Sequence, residues 1–427
     1  MAAENAPDME AWEQAVLTAA LGAGARALEA VLSNVGVGRR KDPVRCVCGQ
    51  TMRSVGLRDK QITTVLGVAT FRRSLFVCPA CAATCFPGDR ALDMEHTGFS
   101  PGVRRMMARA GARASFIEAE EDLRVYAHVE VGRRDIERIA EDVGRQIEAC
   151  TCRRSSSAAP PAAPVPVLYV SYDGTAAPMR KSELKGLKAK RPGTEPKGRE
   201  VKVGCVFTQT TVDEKGFAVR DEDSTTYVAG IESSTLFGSR IYSEAFVRGL
   251  DQARRVVILS DGAAYNKTIA QTHFPDALHI IDLYHAREHL TALGETLRLP
   301  LPVRVQWSEL LDAGNVEALG QAARDRLPRS GARRRSASLQ VRYFEKNAAR
   351  MRYADFRAQG LFVGSGVVEA GCRTVVARRL KNAGMFWSRS GAHAVLQTRC
   401  SLLSRRYDAD WDDRAHQRTA PLPQSAA

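Results

Sequence analysis

Two short apolar segments, each followed by an Asp-Gly pair, constrain the fold of this chain more than any other feature. The first is Val167-Leu-Tyr-Val-Ser-Tyr-Asp173-Gly174, and the second is Arg255-Val-Val-Ile-Leu-Ser-Asp261-Gly262. Apolar runs of this length predict buried strands, and the Asp-Gly pair predicts that each strand ends in a turn. Each strand is therefore expected to carry a carboxylate to its end. Two such carboxylates can share divalent metal ions, which favours metal-dependent nucleic-acid chemistry.

Size and composition set broad limits. The chain has 427 residues, 44% of them hydrophobic, which suits a globular protein of two or three domains. We expect no apolar run that approaches the roughly 18 residues needed to cross a membrane. The N-terminal residues are acidic and lack the apolar core of a signal peptide. These features predict a soluble cytoplasmic protein.

The positive charge of the chain is concentrated in two segments. Residues 180–202 contain nine Lys and Arg against three Glu, and residues 324–353 contain ten against two acidic residues. Concentrated positive charge suits a polyanion, because each neutralised phosphate releases counterions. An isolated basic run is more often a solvated loop. Two basic runs flanking paired carboxylates favour nucleic acid instead.

Five of the ten cysteines lie between residues 46 and 85. Cys46 and Cys48 form one knuckle, and Cys78 and Cys81 form a second after a segment whose β-branched and aromatic residues predict a hairpin. Two knuckles separated by a hairpin are the arrangement of a zinc ribbon, in which four thiolates bind a structural Zn²⁺. Cys85 is a candidate substitute for one of them. The alternative is a set of reduced cysteines without metal.

The N-terminal part otherwise reads as helical. Residues 10–34 predict an amphipathic helix for packing or dimerisation. Within residues 99–149, Ser100-Pro101 predicts a helix start, with serine as the cap and proline in the first turn. Residues 118–126 and 132–148 predict a helix–turn–helix-like pair, and either DNA recognition or three-helix packing would produce this pattern.

From residue 167 the pattern becomes α/β. Further strands are predicted at 201–208, 226–231 and 277–282, with a helix at about 239–250 and another after Asp261. This order is expected of an RNase H-like fold, in which the first and fourth strands are neighbours. Asp173 and Asp261 would then lie side by side. Residues 284–362 are predicted to form an all-α insertion.

A third acid is expected from a helix near the C-terminus. Ser365 could cap a helix in which Val368, Cys372 and Val375 face the core. Glu369 would lie with Arg373 on an adjoining face. A surface glutamate is weak evidence by itself, and the position of Glu369 in the predicted topology is what makes it the candidate.

Several longer motifs accompany these residues. They are Ser171-Tyr-Asp173-Gly-Thr, Gly198-Arg-Glu-Val-Lys-Val-Gly204, Ser260-Asp261-Gly-Ala, Asp282-Leu-Tyr-His285-Ala-Arg-Glu-His289-Leu, Tyr343-Phe-Glu-Lys-Asn347 through Tyr353, Gly364-Ser-Gly-Val-Val-Glu369 and Arg379-Leu-Lys-Asn-Ala-Gly-Met-Phe-Trp387-Ser. With the cysteine knuckles, they resemble bacterial DDE-type insertion-sequence transposases of the ISKra group over most of the chain. The departures are the C-x-C first knuckle and Tyr265, where a tryptophan is expected.

The resemblance implies a DNA transposase. Asp173, Asp261 and Glu369 would be the catalytic triad and would bind two Mg²⁺ or Mn²⁺ ions for cleavage at the element's ends and strand transfer to target DNA. The protein would act as a homo-oligomer on double-stranded DNA in the bacterial cytoplasm, at the nucleoid. Asp282 and His285 would support the site, although a hydrogen bond that docks the insertion explains Asp282 equally well.

Predicted DNA contacts come mainly from the basic runs and the last motif. They are Lys185, Lys188, Lys190, Arg191, Arg199, Arg333, Arg334, Arg335, Arg373, Arg378, Arg379, Lys381 and Trp387. Two alternatives to the transposase remain. One is a domesticated, non-catalytic, sequence-specific DNA-binding protein derived from a transposase, and the other is an RNase H-like nuclease.

The expected organisation follows the chain in order. It comprises an N-terminal helix (1–40), a zinc-ribbon-like module (41–90), a helical region (91–150), a linker (151–166), the first part of the core (167–283), the helical insertion (284–362), the final catalytic helix with a C-terminal helical part (363–412) and a flexible tail (413–427).

Overall fold

Helices and strands are both present throughout the computed structural model, which describes residues 8–35, 43–157, 165–187 and 195–419. The strands are β1 Arg53–Thr64, β2 Gly67–Val77, β3 Thr84–Cys85, β4 Val167–Pro178, β5 Gly198–Gln209, β6 Thr211–Val212, β7 Ala218–Val219, β8 Thr226–Gly230, β9 Arg255–Ser260 and β10 Leu278–Ile281. The helices are α1 Met9–Val35, α2 Pro87–Ala91, α3 Pro101–Arg113, α4 Phe116–Ala127, α5 Arg133–Ser157, α6 Ser234–Val247, α7 Ala264–His273, α8 Leu283–Leu297, α9 Leu301–Asp312, α10 Val316–Arg324, α11 Gly331–Asn347, α12 Tyr353–Ala358, α13 Gly366–Gly371, α14 Arg378–Leu380, α15 Arg389–Leu403 and α16 Tyr407–Thr419.

The chain divides into two units, each with its own core. The first contains the residues up to Ile147 and those from Tyr407 onward, and the second runs from Glu148 to Arg406. The helix α16 thus belongs to the first unit. It continues to Thr419, so the flexible tail predicted from residue 413 is wrong for its described part.

The first unit is built on the predicted hairpin. Strands β1 and β2 pair antiparallel from Arg53↔Val77 to Thr64↔Gly67, and β3 pairs with the far end of β2. Ile62 and Phe71 are buried between the hairpin and Leu32 of α1. Burial alternates only in the half of the hairpin next to its turn, where Ile62 and Thr64 of β1 and Ala69 and Phe71 of β2 are buried between more exposed neighbours.

The helix α1 corrects one expectation from the sequence. Its Met9–Asn34 segment has a mean hydropathy of 1.5 with 11% of the apolar window buried, so by length and composition it could cross a membrane. The prediction that no apolar segment reaches that length is therefore wrong. Trp12, Val16 and Val31 are exposed on this helix. Length and composition alone do not assign it to a membrane, because apolar helices of soluble domains also meet these criteria.

The helix α3 begins as predicted. Ser100 caps α3 by accepting a hydrogen bond from the Val103 N–H at 3.3 Å, with Pro101 as the first helical residue. Ile136 and Val143 of α5 are buried, which shows packing on one face. The helix continues to Ser157, so no linker begins at residue 151. Residues 158–164 lie outside the described residues.

The second unit is centred on a mixed five-stranded sheet in the order β10-β9-β4-β5-β8. Strand β4 is parallel to β9 and antiparallel to β5, β9 is parallel to β10, and β5 is antiparallel to β8. The first and fourth strands of this unit's sheet, β4 and β9, are neighbours as predicted. On one face, Val170 and Ile258 form a core with Phe237 of α6 and Ile269 of α7.

The end of the first strand is not where the sequence places it. Strand β4 does not stop at Asp173 but continues to Pro178, because its pairing with β5 extends to Pro178↔Gly198. The predicted turn at Asp173-Gly174 is therefore wrong. Strand β9 does end at Ser260, immediately before Asp261.

Helices α8 to α12 follow the last strand, with a short 3₁₀ segment at Ala348–Arg350. The helix that carries Glu369 is interrupted: α13 is followed by a π-helical segment, Cys372–Ala377, and then by α14. A π-helical turn changes which residues face the sheet, and such turns are frequent at functional sites.

Candidate functional site

Four thiols lie together in the first unit. The Sγ atoms of Cys46, Cys48, Cys78 and Cys81 are all within 4.8 Å of one another. Individual separations are 3.5 Å for Cys46–Cys81 and for Cys48–Cys78. A tetrahedral zinc with Zn–S bonds of about 2.3 Å places its sulfur atoms about 3.8 Å apart. The four cysteines therefore fit zinc and could bind it.

Cys85 is not part of this group. Its thiol lies 3.5 Å from the Met52 sulfur, so the predicted substitute ligand contacts a thioether instead. Within the group, hydrogen bonds from the Cys81 and Ala80 backbone lower the pKa of Cys78 to about 6 despite its burial. A backbone hydrogen bond from Ala83 opposes the change at Cys81, but the neighbouring thiols raise its pKa to about 12. Without a metal, four closely packed thiols keep most of their protons, because neighbouring thiolates would repel each other. A bound divalent cation would favour the thiolate form.

Two of the three predicted acids lie side by side in the second unit. Tyr172 and Ser260 are register partners in the parallel pair β4–β9, and Asp173 and Asp261 are the residues that follow them. Both aspartates are partly buried. The adjacency arises from the sheet register, so it does not depend on the conformation of a flexible loop.

Asp173 lies in a site that disfavours its charged form. Burial raises the pKa of this carboxyl above its ordinary value, the Gly174 N–H opposes the shift with a 2.6 Å hydrogen bond to Oδ1, and the charge of Asp261 raises it further. The Cys372 thiol lies 3.9 Å from Asp173 Oδ2. Burial and the charge of Asp173 raise the pKa of Cys372 to about 12, so this thiol keeps its proton at neutral pH.

Asp261 is held by the start of α7. Its Oδ1 accepts a 2.9 Å hydrogen bond from the Ala263 N–H and a second from the Asn266 side-chain amide. Asn266 is fully buried, so this end of the carboxylate is fixed. Among the described residues, Oδ2 of Asp261 has no hydrogen-bond partner.

Glu369 is near the pair but not joined to it. It is exposed on α13, which packs against β4 and β5, and it lies one helical turn before Cys372. Val368 and Val375 are buried as predicted. Within the described residues, the only group of three or more acidic, histidine or cysteine ligand atoms within 4.8 Å is the cysteine cluster. The register therefore places Asp173 and Asp261 at neighbouring positions, and the ligand atoms of the three predicted acids do not all lie within 4.8 Å of one another.

Asp282 connects two elements of this site. Its Oδ1 caps α8 by accepting the His285 N–H at 2.6 Å, and its Oδ2 accepts the N–H of Ser365, the residue before α13. Asp282 is buried, with 4% exposure. This supports the docking interpretation of Asp282, since one carboxylate joins the insertion to the helix of Glu369. His285 is partly buried, and its proximity opposes the rise in the pKa of Asp173.

The predicted DNA-contacting residues fall into four groups, of which the buried pair Arg379 and Trp387 is described last. Exposed ones are Lys185, Arg333, Arg334, Arg335, Arg373, Arg378 and Lys381. Arg199 is partly buried and donates a 3.0 Å hydrogen bond to the Glu183 carbonyl. Lys188, Lys190 and Arg191 lie outside the described residues. The positive charge of residues 324–353 is partly neutralised by ion pairs. Arg324 pairs with Glu345 inside this run, and Arg352 pairs with Glu317 before it.

Arg379 and Trp387 are not placed to contact DNA. Arg379 is 1% exposed, and its guanidinium lies 4.7 Å from the centre of the Trp387 ring. Trp387 is itself buried and donates a 3.2 Å hydrogen bond to the Leu380 carbonyl. The prediction of direct DNA contact is corrected for both residues, because they stack on each other inside the fold.

Two tyrosines next to the aspartates were not identified as site residues from the sequence. Tyr265 places its hydroxyl beside Gly174, and Tyr343 places its hydroxyl beside Gly262. Asp261 raises the pKa of both phenols, after burial as the main cause at each. Tyr343 stacks on His289 with a ring separation of 3.7 Å. The sequence marks Tyr343 only by its place in one of the long motifs, and no local pattern links it to Asp261.

The sequence matches no protein-family model, and no curated protein matches it either. Among solved structures, it is similar to the Drosophila P element transposase strand transfer complex. The two are 9% identical, and the alignment covers 75% of this chain and 81% of that chain with a TM-score of 0.25. That TM-score is below the range of chains that share a fold, so this similarity does not identify a family.

Proposed function

We propose that this chain is a DDE-type DNA transposase of the kind that its motifs resemble, the bacterial ISKra group. The observation that carries the proposal is the Tyr172–Ser260 register, which sets Asp173 and Asp261 side by side. The helix α13, which carries Glu369, packs against β4, the strand that contains Asp173. The strand order, with β5 antiparallel between β4 and β8, supports an RNase H-like core.

The chemistry would be phosphoryl transfer. Water would attack phosphorus at the end of the element, an O–P bond would form, and the P–O3′ bond would break to leave a 3′-hydroxyl. That hydroxyl would then attack a phosphate of the target DNA, and a new O–P bond would form as the P–O3′ bond of the target strand breaks. Asp173, Asp261 and Glu369 would hold two Mg²⁺ or Mn²⁺ ions, which supply Lewis acidity at the attacking and leaving oxygens. The raised pKa of Asp173 supports this role, because crowded carboxylates are typical of cation sites.

The exposed position of Glu369 favours a second candidate function. Three predicted acids that do not form one group of ligand atoms suit a domesticated protein that binds DNA without cleaving it. In the transposase, Glu369 would have to approach the two aspartates when cations and DNA bind. The π-helical segment after α13 is a natural place for such an adjustment.

DNA contacts would come from the exposed arginines and lysines. Arg333 and Arg335 project from α11, and Arg373, Arg378 and Lys381 follow Glu369. Lys381 also donates a 2.7 Å hydrogen bond to Thr175, two residues after Asp173. The cysteine centre and helices α4 and α5 would recognise the terminal repeats. The protein would act as a homo-oligomer at the nucleoid in the cytoplasm, because two DNA ends must be joined.

Strand cleavage tests this proposal. The substrate is supercoiled DNA that carries the flanking ends of the native locus, incubated with Mg²⁺ and the full chain. Wild type is compared with Glu369→Gln and with Glu309→Gln, a matched change at an exposed glutamate on α9.

We expect cleavage at the ends by wild type and by Glu309→Gln, and a loss of about 10³-fold or more in Glu369→Gln. DNA binding without cleavage by any of the three proteins would support the domesticated binder. Equal cleavage by all three proteins would show that Glu369 is not a catalytic residue.

A further inference from the structure

The ring of Tyr343 lies against the turn that follows Asp261. A Cβ atom added at Gly262 would stand 2.2 Å from Tyr343 Cε2 and 2.9 Å from its hydroxyl oxygen. No side chain fits at that position without displacing the ring. The glycine after Asp261 therefore allows a phenol from α11, more than 80 residues later in the sequence, to approach this backbone.

Two helices hold this ring in place. Tyr343 is stacked on His289 of α8, with ring centres 3.7 Å apart and planes 19° from parallel. His289 is fixed in turn by a 2.6 Å hydrogen bond between Nδ1 and the Gln340 side-chain oxygen. Phe344 contacts the Tyr343 ring edge-on at 5.4 Å. The hydroxyl thus has a defined position next to Asp261.

That hydroxyl is inaccessible to solvent and has no hydrogen-bond partner among the residues that the structure describes. A buried donor without an acceptor is unfavourable, and phenylalanine would fill the same space without this cost. Oδ2 of Asp261 is an acceptor that likewise lacks a partner within the described chain. An unpaired donor therefore lies beside Gly262, and an acceptor without a partner belongs to the residue before it.

We propose that the Tyr343 hydroxyl, unpaired among the described residues, donates a hydrogen bond to the Asp261 carboxylate when a divalent cation binds and holds that carboxylate in the orientation that binds the cation. Tyr343 is then a positioning residue that acts through Asp261 without touching DNA. This inference rests on the proposed function, since it needs a cation at the paired aspartates. Such second partners fix a ligand's orientation and commonly change metal affinity by 10- to 100-fold.

Cation binding by the full chain tests the inference without requiring activity. The affinity for Mn²⁺ is measured by titration calorimetry, with the thiol centre loaded with zinc beforehand. The proteins are wild type, Tyr343→Phe, Asp261→Asn and Tyr353→Phe. Tyr353 is a matched control, because its hydroxyl is also buried without a partner among the described residues and it lies at the start of α12.

We expect Tyr343→Phe to weaken Mn²⁺ binding about 10-fold, Asp261→Asn to abolish it, and Tyr353→Phe to leave it within about 2-fold. Without cation, Tyr343→Phe should unfold at the same temperature as wild type or higher, because it removes an unpaired buried hydroxyl. If the hydroxyl had only a structural role, Tyr343→Phe would instead lower the unfolding temperature and leave the Mn²⁺ affinity unchanged.

The outcomes separate the two proposals. Wild-type binding that Asp261→Asn abolishes and Tyr343→Phe does not weaken would overturn the role of Tyr343 alone. Equal weakening in Tyr343→Phe and Tyr353→Phe would do the same, because the effect would not be specific to Asp261. Absence of Mn²⁺ binding by wild type would overturn both this inference and the two-metal mechanism.

Discussion

Tyr172 and Ser260 are paired across parallel strands, and an aspartate follows each of them. One register thus fixes the relative positions of Asp173 and Asp261, although 87 residues separate them in the sequence. A slip of one residue would turn one carboxylate to the opposite face of the sheet. The residues before each aspartate are buried on both faces of the sheet, so a slip would force every side chain into the packing of the opposite face.

The cysteine centre should bind one zinc ion per chain. Cys78→Ser is expected to lose the metal and to lower the unfolding temperature by roughly 10 °C, because metal binding contributes to folding. Cys85→Ser is the matched control, since its thiol contacts Met52 and stands outside the group. Elemental analysis and thermal unfolding of the full chain measure both effects. Loss of zinc in Cys85→Ser with retention in Cys78→Ser would contradict this ligand set.

Asp282 should be essential for stability. Asp282→Ala removes the acceptor for the His285 and Ser365 N–H groups, and we expect a loss of about 2–4 kcal/mol in the free energy of unfolding. Asp276→Ala, at an exposed aspartate, should change it by less than about 0.5 kcal/mol. Urea unfolding of the two variants gives the comparison. Similar values for both would show that Asp282 does not join α8 to α13.

Adjacent arginines should behave differently. Arg379→Ala is expected to destabilise the fold by about 2–4 kcal/mol, because its buried guanidinium stacks on Trp387. Arg378→Ala should leave stability unchanged, weaken DNA binding and reduce the slope of log affinity against log salt by about 1. Thermal unfolding and salt-dependent binding measure these effects. A stable Arg379→Ala variant with a reduced salt slope would restore the prediction of direct DNA contact.

His279 should make stability depend on pH. Burial, together with the positive charge of Arg350, lowers its pKa from 6.5 to about 3. The unfolded chain therefore takes up a proton at this position as the pH falls below about 6.5, whereas the folded chain does not. Stability is lost progressively between about pH 6.5 and 3, by about 1.4 kcal/mol for each unit of pKa difference.

His279→Gln should reduce that pH dependence. Urea unfolding of wild type and variant between pH 4 and 7 compares the slopes, and the ring's 2.9 Å contact with Ser260 means that the variant is also less stable at pH 7. Identical slopes would show that His279 titrates normally in the folded chain.

Local pattern was sufficient for much of the fold. The strand segments that precede Asp173 and Asp261 are largely apolar runs, and the cysteine spacing correctly predicted the four clustered thiols. The end of β4 could not be predicted, because its extension to Pro178 depends on pairing with β5 and Asp173-Gly174 reads locally as a turn. The burial of Arg379 could not be predicted either, because it depends on stacking against Trp387, eight residues later.

The site depends even more on contacts that are distant in sequence. Tyr343 reaches Gly262 through the packing of α11 against α8, and Asp282 reaches Ser365 across the whole helical insertion. Neither contact has a local signature. The apolar length of α1, by contrast, is a local property that the mean hydropathy of its sequence shows.

The central claim is that Asp173 belongs to a cation-dependent cleavage site. Its most direct test is Asp173→Asn against Asp276→Asn, with end cleavage and DNA affinity measured on the same substrate in Mg²⁺. We predict that Asp173→Asn loses cleavage by about 10³-fold or more and keeps wild-type DNA affinity within about 3-fold, while Asp276→Asn keeps both. Wild-type cleavage by Asp173→Asn, or DNA binding without cleavage by every protein, would contradict the account.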